Sequence, residues 1–359
     1  MPDFSFEDLH IPASVDAADG GDFRAVAAYA REIRREFLLS DDRDHPDEAY
    51  RVEWTSSPST EQLYVVAKVD GEIVGWFGLS FPLLDNLHLV WAAVRVPARF
   101  RGNGYGRALT AAMHERAARP GRSTIIGSTF HTAADLEGAG ERVAPASGNG
   151  FVPADAPGVR LAISEGYSLA QVARTSVTDP RELDLEGMRR DAAEKAGDGY
   201  RLVQWHGPTP RSRRDDMAHL YNRMSTDIPL GALDMQEEAW TAESLTTMEK
   251  RVVAEGREQW VTAVDFAGTL VAFTILYSDD ATPRVADQEE TLVVTEHRGR
   301  SLGLLIKAAN AQYLLAHKPR VEHFHTWNAT ENDRMLAINA AMGFHGAGGS
   351  GSWQKALGA

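Results

Sequence analysis

The sequence contains no cysteine. Disulfides, thiolate metal sites and cysteine nucleophiles are therefore excluded, and a reducing, cytoplasmic setting is expected. No apolar run approaches the ~18–20 residues that a membrane-crossing helix needs. The first ten residues, MPDFSFEDLH, do not pair a basic region with an apolar one, so no secretion signal is expected. Basic residues are in deficit, with 37 Lys and Arg against 51 Asp and Glu and a formal net charge of -14. That balance argues against general nucleic-acid binding. It favours solubility and attracts cations such as amines over long range. Metal-ligand spacing is also missing: His323 and His325 alternate on one strand face, but no third ligand stands at a suitable distance along the chain.

What the sequence does have is a globular composition, 43% hydrophobic over 359 residues, enough for two domains with separate cores. It also has one feature twice. Arg101 to Leu109 reads RGNGYGRAL, and Arg298 to Ile306, 197 positions later, reads RGRSLGLLI. Each follows a strand-like run and precedes a helix-like run. A basic, glycine-rich turn between strand and helix displays backbone N–H groups at a helix N-terminus, which suits a phosphate-bearing ligand.

The surroundings repeat as well. Gly71 precedes Arg101 by 30 positions and Gly268 precedes Arg298 by 30, so GEIVGWFGLS and GTLVAFTILY stand in register. In the first half we expect a helix over 19–37, a hairpin over 62–81 about Asp70-Gly71, a strand over 87–96, a helix over 106–119 and a strand over 123–130. Residues 132–157 read as a long loop or partial insertion, followed by a short helix and a strand over 168–177. The second half is expected to have helices over 210–224 and 236–255 and a hairpin over 259–277. A strand then enters the second turn, with a helix over 301–315, a strand over 321–327 and a helix over 331–342 following it. The period is too long for a solenoid and points to duplicated domains. The expected division is a domain over 1–179, a helical linker over 180–198 and a second domain over 199–359.

Hairpin, strand, R-x-x-G-x-G turn, helix, strand, asparagine, helix and Gly-aromatic, in that order, resemble the GNAT acyltransferases. The resemblance covers nearly all of both halves and is of the tandem actinobacterial type, similar in layout to mycothiol synthase. It is most specific at Val94 to Leu109 and Thr291 to Phe344. It implies an α/β (α+β) fold class of two tandem GNAT domains, each a mixed, mostly antiparallel sheet flanked by helices. It also implies acetyl-CoA (coenzyme A) as cofactor and a small-molecule amine as partner. By the family pattern, the pyrophosphate would lie on Arg101, Gly102, Asn103, Gly104, Tyr105 and Gly106, with the pantetheine arm along Val94, Arg95 and Val96. The corresponding positions in the second half are Arg298, Gly299, Arg300, Ser301, Leu302 and Gly303 for the pyrophosphate, and Val293, Val294 and Thr295 for the arm. Ser301 stands where a glycine is usual; it keeps its N–H, so binding survives if the backbone there needs no positive φ. Asn332 falls at the family's asparagine opening the last helix, and Asn328 ends the strand before it; either can instead cap the helix.

The resemblance also implies a leaving-group acid, often a tyrosine four residues before the closing glycine. That position is Asn339 here and Ala162 in the first half, and an amide cannot donate a proton in that role. An amine must lose a proton to attack a thioester, and a strand carboxylate can take it. By the resemblance, Asp287 stands where some members of the family carry a glutamate base, and Glu290 lies nearer the thioester end if the strand splays as it does in the family; Glu289 and Glu290 should alternate, so at most one of them faces the site. Asp227, within Met224 to Pro229, is a candidate for holding an ammonium, and His325 and Trp327 for lining the acceptor pocket. The second half is expected to catalyse and the first to bind acetyl-CoA or form a wall. The alternatives are a non-catalytic acyl-CoA-binding protein, a protein or peptide N-acetyltransferase, or a purely structural first half. The chain is expected to be a monomer or homodimer.

Overall fold

Strands and helices alternate through both halves of the computed structural model, which describes residues 4–38, 40, 42–227 and 229–358. The first half runs β1 (Phe4–Asp8), α1 (Gly21–Leu38), α2 (Asp47–Trp54), β2 (Thr60–Val69), β3 (Glu72–Pro82), β4 (Leu89–Arg95), α3 (Tyr105–Ala117) and β5 (Thr124–Thr132). It continues with α4 (Ala133–Glu137), β6 (Arg142–Val143), β7 (Val152–Pro153), α5 (Pro157–Ser164) and β8 (Ser168–Thr178). The second half runs α6 (Leu185–Ala196), β9 (Tyr200–His206), α7 (Arg214–Asp227), α8 (Ala242–Ala254), β10 (Arg257–Phe266) and β11 (Thr269–Asp279). It ends with β12 (Val285–Val293), α9 (Leu302–His317), β13 (His323–Ala329), α10 (Asp333–Ala341) and β14 (His345–Ala356). Among the described residues, no helix is long and apolar enough to cross a membrane.

The chain divides into two compact units that are not contiguous in sequence. The first comprises Met1–Ala173, Leu230–Gln236 and Gly348–Ala359, and the second Arg174–Pro229 and Glu237–Ala347. A contiguous split at 179 and 199 does not anticipate these exchanges. The last strand of the chain lies antiparallel beside β5, from Gly348 opposite Thr132 to Ala356 opposite Thr124. The segment 230–236 is also tied to the first unit. Thr124 Oγ1 donates to the Asp234 carboxylate at 2.7 Å, and Gln236 N–H donates to Asn86 Oδ1 at 2.7 Å. Gln354 Nε2 donates to the Ala232 carbonyl at 2.7 Å. The helix expected from 236 consequently starts only after Thr241, whose hydroxyl forms a capping box with Ser244.

In the first unit the sheet order is β1-β2-β3-β4-β5-β14. Neighbours are antiparallel except β4 and β5, which run parallel from Leu89 opposite Thr124 to Ala92 opposite Gly127. Beyond Gly127 strand β5 pairs only with β14, so β4 and β5 part there. Phe77, Leu79, Val90, Leu109, Met113 and Ile125 fill the core under α3; Phe23, Val26, Trp54 and Trp76 fill the one under α1 and α2. Residues 132–157, read as loop, are ordered by a capping box at Thr132 and Asp135 and by the short β6–β7 ladder.

The second unit repeats the plan with sheet order β13-β12-β11-β10-β9. Its parallel pair is shorter, Val285 to Asp287 beside His323 to His325. Helix α6, read as part of a linker, packs on α9 and buries Leu185 with Ala308, Ala311 and Leu314. The other face of the sheet carries α7 and α8 through Met217, Leu220, Tyr221, Leu245 and Val252.

Candidate functional sites in the two units

The two turns have the same backbone conformation. Gly102 and Gly104 have φ of +83° and +84°, and the corresponding Gly299 and Ser301 have +79° and +57°. The second turn thus does need a positive φ at Ser301, contrary to the condition set for it, and the serine adopts the left-handed region at a cost of about 1 kcal/mol. Gly104 and Ser301 are the N-caps of α3 and α9, with no side-chain cap. The first amides of each helix therefore point away from the helix without an intrahelical acceptor.

Both turns are held by an arginine that faces backwards. Arg101 Nε donates to the Val96 carbonyl at 2.9 Å, and its guanidinium pairs with Glu36 of α1 at 2.7 Å. Arg298 Nε donates to the Val293 carbonyl at 2.9 Å, and its guanidinium pairs with Asp227 of α7 at 3.0 Å. These cations fix the strand-to-turn junction. Asp227, expected to hold an ammonium, instead also accepts from Arg223 and Thr295 Oγ1 and closes α7 onto the turn. It is the last residue of α7; Ile228 of the same segment lies outside the described residues.

The first unit has room beside its turn. A cavity of about 1000 Å³ follows the parting of β4 and β5 and is lined by Val94, Val96, Gly104, Ser128, Phe130 and Leu161 among others. The ordered stretch after β5 supplies one wall through Gly138, Arg142 and Phe151. Arg95 and Phe37 both pack on the Phe130 ring inside it. His131, in the same lining, meets Thr129 Oγ1 at 2.9 Å, and burial pushes its pKa down, so it is neutral at pH 7.

Beside the second turn the cavity is about 290 Å³, lined by Ser301, Leu304, Ala341 and residues of α6. A Cβ on Gly303 would meet Ile338 Cδ1 at 2.7 Å, so α10 sits close against the start of α9 and a larger residue there would have to displace the end of the Ile338 side chain. Asn332 caps α10 by accepting from Met335 N–H at 3.3 Å, the helix-capping role. Asn328 Oδ1 accepts from Asn339 Nδ2 at 2.6 Å. Asn339 in turn accepts from Lys307 Nζ at 2.6 Å, a lysine 1% exposed whose pKa burial pushes down to about 7. Val294 N–H is spent on the Val271 carbonyl, and Thr295 on Asp227. Gly299, Arg300 and Leu302 complete the turn, the Arg300 guanidinium lying 5.9 Å from the Tyr200 ring centre.

The candidate bases lie on the opposite face of the second unit. Thr274 pairs with Thr291 and Leu276 with Gln288, so Ile275 stands opposite both Glu289 and Glu290. This β-bulge breaks the alternation on which only one of the two would face the site. The two carboxylates share Tyr221 and Tyr277 as neighbours. Burial, then the Glu290 and Asp287 charges, push Glu289 up to about 8, with Arg257 opposing. Burial also raises Glu290, and its Oε2 is buried without a hydrogen-bond partner. Asp287 lies in register with His325 across the parallel pair and with Tyr277 across the antiparallel one. Trp327 continues the His325 face, and is 42% exposed.

Two further residues of this cluster were not among the candidates. Tyr221 of α7 has a buried hydroxyl without a partner. Glu249 of α8 is 2% exposed; its Oε1 accepts from Thr209 N–H and Gln259 Nε2, both at 2.9 Å, while its Oε2 has no partner. The signal for Glu249 was present: Leu245, Glu249 and Val252 form one buried stripe at helical spacing, with an acid where an apolar residue belongs.

Comparison with known proteins agrees with this geometry. Residues 27–139 match the model of the acetyltransferase (GNAT) family. No curated protein matches the chain. A solved tandem GNAT protein from the clavulanic acid biosynthesis pathway is 22% identical, covers 99% of both chains and superposes with a TM-score of 0.77. A glucosamine N-acetyltransferase region of a fungal multi-domain β-N-acetylglucosaminidase is 15% identical with a TM-score of 0.63; the chain spans 38% of that protein. A GCN5-related N-acetyltransferase from Sphaerobacter thermophilus is 13% identical over 99% of this chain and 96% of its own, with a TM-score of 0.60. The fold is thereby two tandem GNAT-like α/β units. The likeness is to that architecture and not to mycothiol synthase in particular.

Proposed function

We propose that this chain is an acetyl-CoA-dependent N-acetyltransferase acting on a primary amine of a small molecule, with the chemistry in the second unit. One observation carries the reading: Glu290 sits in a β-bulge of the strand that runs into a phosphate-type turn, with a carboxylate oxygen buried and unpartnered. Acetyl-CoA would supply an acyl group activated as a thioester. The amides of the second turn suit its diphosphate, and β12 and β13, paired only from Val285 to Asp287, part beyond that point toward the turn.

The chain's own residues have distinct tasks. Glu290, its pKa raised by burial, is a stronger base than an exposed carboxylate and takes the proton that the attacking amine loses. Strand N–H groups near the parting of β12 and β13 hold the negative charge that builds on the carbonyl oxygen. Lys307 fixes Asn339, and through it Asn328, at the end of β13.

A second reading has its own observation. The cavity in the first unit is more than three times the volume of the one at the second turn, which favours the first unit as the acyl-CoA holder, either catalytic or sensing only. Two variants separate the readings, with turnover measured on amines and on peptides and acetyl-CoA binding by calorimetry. Glu290→Gln is expected to lower kcat on amines by about 10²–10⁴-fold while acetyl-CoA still binds. Gly104→Val, which forces a β-branched residue to a φ of +84°, is expected to weaken first-unit binding and leave turnover standing. The assignment to the second unit fails if Gly104→Val abolishes turnover and Glu290→Gln does not. Preference for peptides over free amines would establish the peptide acetyltransferase instead.

A further inference from the structure

The face of the second unit under α7 and α8 is short of positive charge. Glu249, Asp287, Glu289 and Glu290 gather around Tyr221 and Tyr277, and the guanidinium among them is that of Arg257. Arg257 lies 3.3 Å from Glu289 and 3.9 Å from Asp287, and stacks 4.3 Å from the Tyr277 ring centre. Its position is thus fixed at the Glu289 side. Glu249 and Glu290 each keep one oxygen that is buried and unpartnered, and so does the hydroxyl of Tyr221, a residue 3% exposed. Each such orphan costs on the order of 1–3 kcal/mol, more for a charged group. Three in one place, on separate elements, are the imprint of a missing partner that donates hydrogen bonds and bears positive charge.

We propose that this cluster is a binding site for a compound with two cationic nitrogens, a small aliphatic diamine or polyamine, with Glu249 and Glu290 as its two anchors and Tyr221 between them in the recognition. The proposal rests on the amine-acetyltransferase reading above and names its substrate class: one nitrogen would be the acceptor beside Glu290, the other a retained charge beside Glu249. A monoamine answers one orphan carboxylate and leaves the other. An amino sugar carries one ammonium too, on a bulkier ring whose hydroxyls bear no charge, and likewise leaves one carboxylate unanswered. The groups facing Glu289 are Glu290, Asp287 and Arg257, and its raised pKa shows the site holding a proton in place of a cation. Arrival of a dication therefore expels protons.

The test is calorimetry on the full chain without acetyl-CoA, using putrescine, spermidine, n-butylamine and glucosamine as probes. Putrescine or spermidine should bind at least about tenfold more tightly than n-butylamine, with glucosamine weaker still. Binding near pH 7 should release protons, read as a heat that changes with the ionisation enthalpy of the buffer. Tyr221→Phe, which removes one oxygen and keeps the packing, and Glu249→Gln should each weaken the diamine by about tenfold and leave n-butylamine nearly unchanged. Equal affinity for diamine and monoamine, or diamine binding indifferent to both variants, overturns the proposal; so does a crystal soaked in spermidine that shows only waters among the three orphan atoms. The underlying reading fails separately. If diamines bind as described but are not acetylated when acetyl-CoA is added, the site stands and the acetyltransferase assignment falls. If monoamines and amino sugars are acetylated as fast as diamines, the enzyme stands and this site's role falls.

Discussion

The turns at 101–106 and 298–303 were built to one pattern and then diverged in what surrounds them. Each has two residues at positive φ, a helix starting on it and an arginine bonded back to the carbonyl five residues earlier. In the first unit glycine carries the left-handed position, a large cavity opens alongside, and strand β4 brings no carboxylate toward it. In the second a serine carries that position, Ile338 presses on the turn, and the strand brings three acids. A large cavity and a set of strand carboxylates have been distributed unequally over two copies of one scaffold. The scaffold is thus separable from either task, which is why fold alone does not assign catalysis to a unit.

The turn-holding arginines give the largest expected stability difference. Arg298→Met leaves Asp227, 14% exposed, without its main cation and should cost about 2–3 kcal/mol. Arg101→Met leaves Glu36, 33% exposed and better solvated, and should cost under about 1 kcal/mol. Urea melts of both variants read the difference; equal losses would mean that the two junctions do the same mechanical job.

Glu289→Gln sharpens the contrast through pH. The folded pKa of Glu289 lies near 8, above its ordinary 4.5, so between those values the folded state holds a proton that the unfolded state has lost. Its contribution is fully present below about pH 4.5 and declines as pH rises to about 8. The glutamine variant should therefore be more stable than the parent by about 1–3 kcal/mol at pH 8, with the gap closing toward pH 4.5. A gap constant with pH would show that the carboxylate is ionised throughout. The smallest effect is a swap of the two turns' left-handed residues. Ser301→Gly should stabilise the second unit, and Gly104→Ser destabilise the first, by about 0.5–1 kcal/mol each. Opposite signs in thermal melts are the check.

Much of this was legible in the sequence because it is local. The hairpin at Asp70-Gly71, the strand into Pro97 and the glycine turn each announce themselves within a few residues, and the second copy confirmed the order. What was not legible depends on partners far away. Strand β14 reads HGAGGSGSWQKA, which has no apolar alternation, and pairing with distant strands such as β5 makes it a strand. The bulge at Glu289 and Glu290 reflects a register mismatch with β11, invisible in β12 itself. The capping of α10 by Asn332 was weighed as an alternative to cofactor binding, but residue type alone could not decide between them.

Placing the chain's last strand in its first unit has a consequence for biosynthesis. During translation β5 leaves the ribosome well before β14, the neighbour it requires, because residues 133–344 lie between them. The first unit's sheet must wait with an unsatisfied edge while those residues are made, inviting chaperone attention. A stop near residue 347 would leave the second unit's residues whole and cripple the first.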